Sequence, residues 1–239
     1  MKNMTPKKII VKGKAAKVTS KGMHLLSICD ARSDEAKKTE NRIEAISANW
    51  RNLRDESLVV EVQAALALRN DLKKEYEFLK NHLLKIEKQM FDIWEEYRYL
   101  IQNLHKKFLK REAYVPNITT TVGRAVIARR LAGNNTYTGN VTHTALGSSS
   151  SAVAIGDPQL TAETYRKALS SGAFASNISY LETFYTATET SGTFREYGHF
   201  IDGTSSANSG QIFNHFLQTV TKSVTETLNV QSTITIADA

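Results

Sequence analysis

Cysteine is almost missing from this chain of 239 residues, since Cys29 is the only one. That excludes an intrachain disulfide framework and any cysteine-based zinc site, so stability must come from packing or from oligomerisation. Proline is nearly as scarce, at Pro6, Pro116 and Pro158. None falls between Thr39 and Val115, which leaves a long window open to uninterrupted helix. Long apolar runs are missing too. No window approaches the roughly 18 consecutive apolar residues of a membrane span, and no signal-type apolar stretch follows the basic N-terminus. Neither membrane insertion nor classical secretion is expected. Acidic residues are missing from the first 24 positions, which hold seven lysines: Lys2, Lys7, Lys8, Lys12, Lys14, Lys17 and Lys21. The whole chain carries a formal charge of +7, so everything after this tail is close to neutral. Basicity confined to a tail weakens any reading in which the whole surface grips nucleic acid.

Lysine without arginine supplies point charges and no bidentate base readout, so nucleic-acid contact through the tail would be non-specific and salt-sensitive. The tail, taken as residues 1–32, reads either as a solvated segment or as an electrostatic anchor to a partner, with Lys7, Lys8, Lys12, Lys14, Lys17 and Lys21 as its contacts. Ile9-Ile10-Val11 could add a short strand to a sheet edge.

From Ser33 the composition turns to Glu, Lys, Arg, Leu, Ala and Ile, and Ser33 before Asp34 and Glu35 predicts a helix N-cap. Tyr76, Leu79, Leu83, Ile86, Met90, Ile93, Tyr97, Leu100 and Leu104 follow alternating steps of three and four. Their mean period of about 3.5 implies a coiled-coil seam. An earlier block, Ile43, Ile46, Trp50, Leu53, Ser57 and Val60, repeats the pattern in a register offset by one residue. The slip falls near residues 57–68. It marks either a discontinuity in one continuous helix or a turn at Arg54–Ser57. With no Gly or Pro to force reversal, one helix is favoured. A helix over 33–111 would be roughly 120 Å long and needs partner helices to cover its stripe. Bulky Tyr76 and Tyr97 in the seam suit a wide core, so the expected assembly is a homotrimer.

Past Pro116, Thr, Ser, Gly, Asn and aromatics dominate. Gly123–Leu131 reads as a short helix closed by Gly133, and Thr161–Leu169 as another. Strands are expected at Val141–Leu146, Ser176–Ala187, Thr193–Ile201, Ile212–Thr221 and Thr227–Ile236, divided by Gly-containing turns. The expected fold is therefore α and β in separate parts: a long N-terminal coiled-coil helix (33–115), then an all-β sandwich-like domain with short helices (116–239).

There is no G-x-S-x-G, no Walker loop, no H-E-x-x-H and no EF-hand run. Glu95 and Glu96 point about 100° apart on a helix and read as solvated faces, while His82 and His105 are too far apart to share a site. Trp50 and Trp94 fit the seam or its flank. Arg124, Arg129 and Arg130 could hold a phosphate but more often make ion pairs. His143, His199 and His215 could converge on a metal, and Asp157, Asp202 and Glu196 on calcium, without ligand spacing that supports either. Glu163, Glu182, Glu189, Glu196 and Asp202 are the carboxylates a glycan-cleaving enzyme would need. Tyr137, Tyr180, Phe184, Tyr185 and Tyr197 are candidates for stacking on carbohydrate, with Tyr137, Tyr185 and Tyr197 the contacts put forward. No enzyme activity, cofactor or metal is expected.

Several short elements, in order, carry a resemblance. They are Val122-Gly123-Arg124 leading into Ile127–Leu131, Tyr137–Gly139, Thr144-Ala145-Leu146-Gly147, Asp157-Pro158-Gln159-Leu160 with Glu163, Arg166 and Lys167, and Gly192–Phe200. The last is similar to an E-x-G-x-F strand before an Asp-Gly turn. Residues 117–239 resemble a module of tailed-bacteriophage tail-fibre, appendage and head-fibre proteins. The resemblance implies a non-enzymatic virion component, trimeric like most fibres. Such a component is made in the host cytoplasm and displayed on the virion surface. Its tail would hold other virion proteins, and its knob would meet host surface glycan or another fibre. The alternative functions are a nucleic-acid-binding adaptor using the lysine-rich tail and, behind it, a glycan-active enzyme.

Overall fold

The computed structural model describes residues 18–238. Ten strands and three helices follow in the order β1 (Val18–Asp30), α1 (Asp34–Arg69), α2 (Lys73–Phe108), β2 (Leu109–Pro116), β3 (Ile118–Thr119), α3 (Thr121–Leu131), β4 (Val141–Gly147), β5 (Glu163–Ala168), β6 (Ser171–Ala175), β7 (Ile178–Tyr185), β8 (Gly192–Ile201), β9 (Gln211–Lys222) and β10 (Glu226–Asp238). The strands form two five-stranded sheets, ordered β2-β1-β10-β7-β6 and β3-β9-β8-β4-β5. All the pairings are antiparallel.

Helical and β parts are both present, but they do not divide along the chain as expected. Residues 18–30, assigned above to the tail, are the strand between β2 and β10. The helices are therefore an insertion between two strands that pair with each other, and Cys29 faces Leu109 across the feet of the insertion. Leu26 and Ile28 of β1 join Val115, Leu146, Tyr185, Phe194, Tyr197, Phe216, Leu228 and Val230 in the core between the sheets. Each fully buried large side chain of this kind contributes about 1.5–3 kcal/mol. That gain makes β1 a wall of the sandwich.

The continuous helix over 33–111 is corrected to two antiparallel helices of 36 residues each. Ser33 does cap α1, accepting from the Ala36 N–H at 3.1 Å. The first register runs unbroken to the end of α1, where Ala64 and Ala67 are buried and Leu68 is exposed. Reversal comes at Asn70-Asp71-Leu72, not at Arg54–Ser57. Leu72 N donates to Ala67 O at 2.9 Å and Asp71 N to Leu68 O at 3.2 Å. Asp71 has φ 57°. This is the double hydrogen-bond closure usually made by a glycine, and aspartate is one of the few other residues that visits left-handed backbone. A helix can therefore end here without Gly or Pro. The second helix stops at Phe108, and Leu109–Pro116 is strand, so Pro116 closes a strand and not the rod.

All nine seam residues face α1 of the same chain. Leu79 and Ile86 pack with Val60, Ala64 and Ala67, flanked by Tyr76, Leu83 and Met90. Tyr97 and Leu104 pack with Ala36, Ile43 and Ile46, flanked by Ile93 and Leu100. The partner helix is supplied internally, so the seam is not free to build a parallel trimer. Ion pairs Arg42–Glu96 at 2.5 Å and His82–Glu56 at 3.1 Å, with Lys107–Glu35, link the two helices. The basal half lies on the outer face of the first sheet. There Cys29 and Phe184 enter the hairpin's core, and Tyr97 Oη donates to Asn229 Oδ1 at 2.7 Å.

The helix expected at Gly123–Leu131 is present as α3, starting two residues earlier at Thr121, and the five expected strands are present. The expected helix at 161–169 is instead β5, the edge of the second sheet. Among the described residues, no helix is long and apolar enough to cross a membrane.

Candidate functional site

Two regions hold the polar and apolar groups that could carry function. The first is a buried network that ties the loop 148–162 to the second sheet. Glu196, on β8, has its carboxylate sealed from solvent. Its Oε1 accepts from the Ala162 N–H at 2.6 Å and its Oε2 from the Thr161 N–H at 2.9 Å. His215, on β9, lies with Nε2 3.2 Å from Glu196 and Nδ1 2.8 Å from Asp157. A Cβ on Gly147 would sit 2.5 Å from Glu196 Cγ and 2.7 Å from Ala162 O, so only glycine admits this carboxylate. The triad composition suggests acid–base chemistry, but a nucleophile relay needs an imidazole nitrogen aimed at a hydroxyl. Here both nitrogens face carboxylates. The arrangement is an anchor, with charge-assisted bonds each worth about 1.5–3 kcal/mol.

This network explains the E-x-G-x-F stretch. Glu196 anchors the loop, a Cβ on Gly198 would lie 3.0 Å from Leu160 and 3.1 Å from Asn214 O, and Phe200 is buried beside Leu160 and Ile212. Arg166 stacks over Phe200 at 3.9 Å and pairs with Glu163 at 2.7 Å.

A second polar string runs through the core. His24 Nδ1 lies 2.6 Å from Ser232 Oγ, which lies 3.1 Å from His199 Nε2, and His199 Nδ1 lies 2.8 Å from Asn214 Oδ1. His24 stacks on Phe216 at 3.7 Å. Burial lowers His199 to about 4, and burial with the charge of His199 lowers His24 well below its ordinary value. Both rings are neutral core residues near pH 7. The three histidines considered for a metal do not converge: His199 is in this string, His215 is in the anchor, and His143 sits half-buried near Arg166. Among the described residues no group of three or more His, Cys, Asp or Glu side chains is placed to hold a metal ion.

The five carboxylates considered for glycan cleavage are likewise dispersed. Glu163 pairs with Arg166, Glu189 with Lys167, Glu196 with His215, and Asp202 accepts from Thr138. Glu182 is buried beneath α2. Of the three tyrosines put forward for glycan contact, Tyr185 and Tyr197 are 0% exposed in the core and offer no ring face to a saccharide. Their alternation along strands is that of core positions. Tyr137 alone is accessible, packed beside Val126 with Arg129 over its ring at 5.8 Å. Of the tail lysines, Lys7, Lys8, Lys12, Lys14 and Lys17 lie outside the described residues. Lys21 lies on β1, opposite Thr235.

The second region is a cleft of about 800 Å³, which the sequence reading did not foresee. The hairpin forms one wall through Trp50, Glu61, Leu83, Glu87 and Met90, and α3 another through Ile127 and Leu131. The floor is the end of the first sheet, with Phe174, Leu181, Ile234 and Ile236. Trp50 fixes the corner by donating from Nε1 to Gly172 O at 3.0 Å. Burial, with repulsion from Glu87, raises the Glu61 carboxyl, and Arg130 opposes the shift. Its lining is mostly apolar, with Glu61 and Glu87 on the hairpin wall beside Arg54. No protein-family model and no curated protein matches the chain.

Proposed function

We propose that the protein is a non-enzymatic structural component of a phage virion, in which the helical hairpin is an assembly arm on a β-sandwich base. One observation carries the assembly role. The core of the distal half of the hairpin, built from Val60, Ala64, Ala67, Leu79 and Ile86, contains no residue of either sheet. Val59, Val62, Leu66, Phe78 and Leu84 nevertheless remain exposed on that half. Two helices with apolar residues on their outer surface gain by burying them against further helices. This supports self-association or attachment to a neighbouring virion protein through the arm. A homotrimer would use this outer face, since the seam is occupied within the chain.

The phage assignment rests on the resemblance of residues 117–239. Its support here is that Asp157, Glu196, Gly198 and Phe200, which carry that resemblance, form one framework around the loop 148–162. The lysine-rich segment is proposed as the anchor to head, neck or tail. Knob contact with host glycan would fall to Tyr137 and surfaces other than Tyr185 and Tyr197.

Two measurements test this reading. Mass spectrometry of purified particles of the encoding phage should find the protein, and its absence from particles ends the virion reading. Light scattering should give a mass above the monomer, reduced by Val62→Glu with Leu66→Glu. A monomeric wild type that also binds no virion protein ends the arm reading.

A further inference from the structure

The cleft has a floor that a closed sandwich would cover. Along β10, Leu228 and Val230 point into the core, and alternation places Ile234 and Ile236 on the same face. Phe174 of β6 pairs with Ser179, which pairs with Ile234, so it shares that face. Yet Phe174 is 64% exposed and Ile236 is 49% exposed. The wall made by α3 is uncovered in the same way. Gly123 and Val126 are its buried residues, and Val126 packs with Phe213 of the second sheet. Arg124, Ile127, Ala128 and Leu131 line the cleft instead, at the spacing of one helical stripe. Leu131 is 86% exposed, more than any other large apolar side chain among the described residues. One face of the molecule therefore carries an apolar hollow and an apolar ridge side by side.

We infer that the cleft takes the α3 ridge of a second copy of this chain. Ile127, Ala128 and Leu131 of each copy enter the other's cleft over Phe174 and Ile236, and Arg129 and Arg130 of each meet the other's Glu61 and Glu87. Shape is the first argument. Hollow and ridge lie on one face, so the contact is reciprocal about a two-fold axis, the self-complementary arrangement of closed dimers. The small Ala128 in the middle of the ridge lets two such helices approach closely. Charge is the second argument. α3 holds three arginines and no acidic residue, while Glu61 and Glu87 line the opposite wall. Among the described residues none of Arg124, Arg129, Arg130, Glu61 and Glu87 is in an ion pair. Within one chain Arg129 lies over Tyr137 and Arg130 donates to Asn135, and Arg130 acts on Glu61 only across the gap. Arg54, on the same wall as Glu61, is already paired with Asp55 at 3.0 Å. A basic ridge beside an acidic wall complements a copy of itself, whereas a small apolar ligand would leave both sets of charges unmatched.

This goes beyond the assembly role of the arm, because Val59, Val62, Leu66, Phe78 and Leu84 do not line the cleft. The test uses the full chain with a photo-reactive benzoylphenylalanine in place of Leu131, mixed with isotope-labelled wild type. Irradiation should join position 131 to labelled Met90, Phe174 or Ile236, in a band of dimer mass after denaturation. Glu61→Arg with Glu87→Arg, or Arg129→Glu with Arg130→Glu, should each lower that yield about tenfold, because like charges then face each other. Mixing the two double variants should restore it, since each supplies the charge the other lacks. Glu61, Arg129 and Arg130 are exposed and Glu87 is half-buried, and circular dichroism checks that both double variants fold. Adducts within one chain only, adducts outside the cleft, or no recovery on mixing each overturn the inference. So does native mass spectrometry that finds a monomer carrying a co-purified apolar small molecule. Val62→Glu with Leu66→Glu should leave the cross-link unchanged, so the fate of the arm reading does not decide this one.

Discussion

Replacing Glu182 by Gln should make the protein more stable at alkaline pH while leaving it unchanged near pH 4.5. Glu182 sits on β7 on the outer face of the first sheet, beneath α2, and is 4% exposed. Its Oε1 accepts from Gln231 Nε2 at a long 3.3 Å, and its Oε2 has no partner. Arg98 of α2 and Asn229 favour the charged form but do not offset burial, which pushes the carboxyl up from 4.5 to about 8. The folded state therefore keeps a proton that the unfolded state releases between these values. The stability this carboxyl contributes is complete below pH 4.5 and is lost as pH rises towards 8. The gap corresponds to about 5 kcal/mol, of which about 3 kcal/mol is gone by pH 7. Glutamine keeps the shape and removes the proton linkage. The variant should match the wild type within about 1 kcal/mol at pH 4.5 and exceed it by about 4 kcal/mol at pH 8. Urea unfolding at a series of pH values, followed by tryptophan fluorescence, reads this directly, because Trp94 packs 5.0 Å from Tyr180 in the same interface. Taking the difference between variant and wild type cancels every other titrating group. A difference that does not change from pH 4.5 to 8 would refute the argument.

Opposite behaviour is expected from the histidine string. His199 is lowered from 6.5 to about 4, so its contribution is present above pH 6.5 and falls by about 3 kcal/mol as pH drops to 4. Calorimetry in the Glu182→Gln background should show the melting temperature falling over that window, and a constant value contradicts the assignment. Asp71→Gly should raise stability by up to about 1 kcal/mol, or about 2–4 °C, by relieving the left-handed backbone at the hairpin turn, and Asp71→Val should lower it. Glu196→Gln should cost about 2 kcal/mol and speed hydrogen exchange at Thr161 and Ala162, because the amide oxygen can replace only one of the two accepting carboxylate oxygens. Unchanged exchange at those two amides would mean that the loop is held by other contacts.

The hairpin was visible in the heptads before its turn was. A one-residue offset between two apolar stripes is what two antiparallel helices produce, since each carries its own phase. Projecting both stripes towards each other placed the offset at 57–68, short of the true reversal at Asn70–Leu72, because nothing in the side chains of α1 ends the first stripe before Ala67. The expectation of one helix rested on the absence of Gly and Pro, and Asp71 met the backbone requirement instead. β5 departs from its helical propensity for a related reason. Glu163, Arg166, Lys167 and Ala168 are good helix formers, but the sheet pairs Glu163 with Arg166 on one strand and stacks Arg166 on Phe200.

The harder miss was β1, and it decides the architecture. Its core face is His24, Leu26 and Ile28, whose alternation was present but lay beside a lysine tail and began with a residue not usually assigned to a core. The buried ring meets Ser232 through Nδ1 and stacks on Phe216, and both partners come from strands roughly two hundred residues further along the chain. No local pattern could supply that information. β2 has the same weakness, with only Ala113 and Val115 turned inward, and it acquires its place by pairing with β1 across the whole hairpin. Each of these strands requires the other, and their pairing makes the helices an insertion and not a leading stalk. The candidate site follows the same logic. Asp157, Glu196 and His215 stand apart in the sequence, and the anchor they form exists only because β8 and β9 lie side by side while the loop after β4 folds back over them. The open cleft likewise exists only because the hairpin returns along the edge where β6 ends the first sheet.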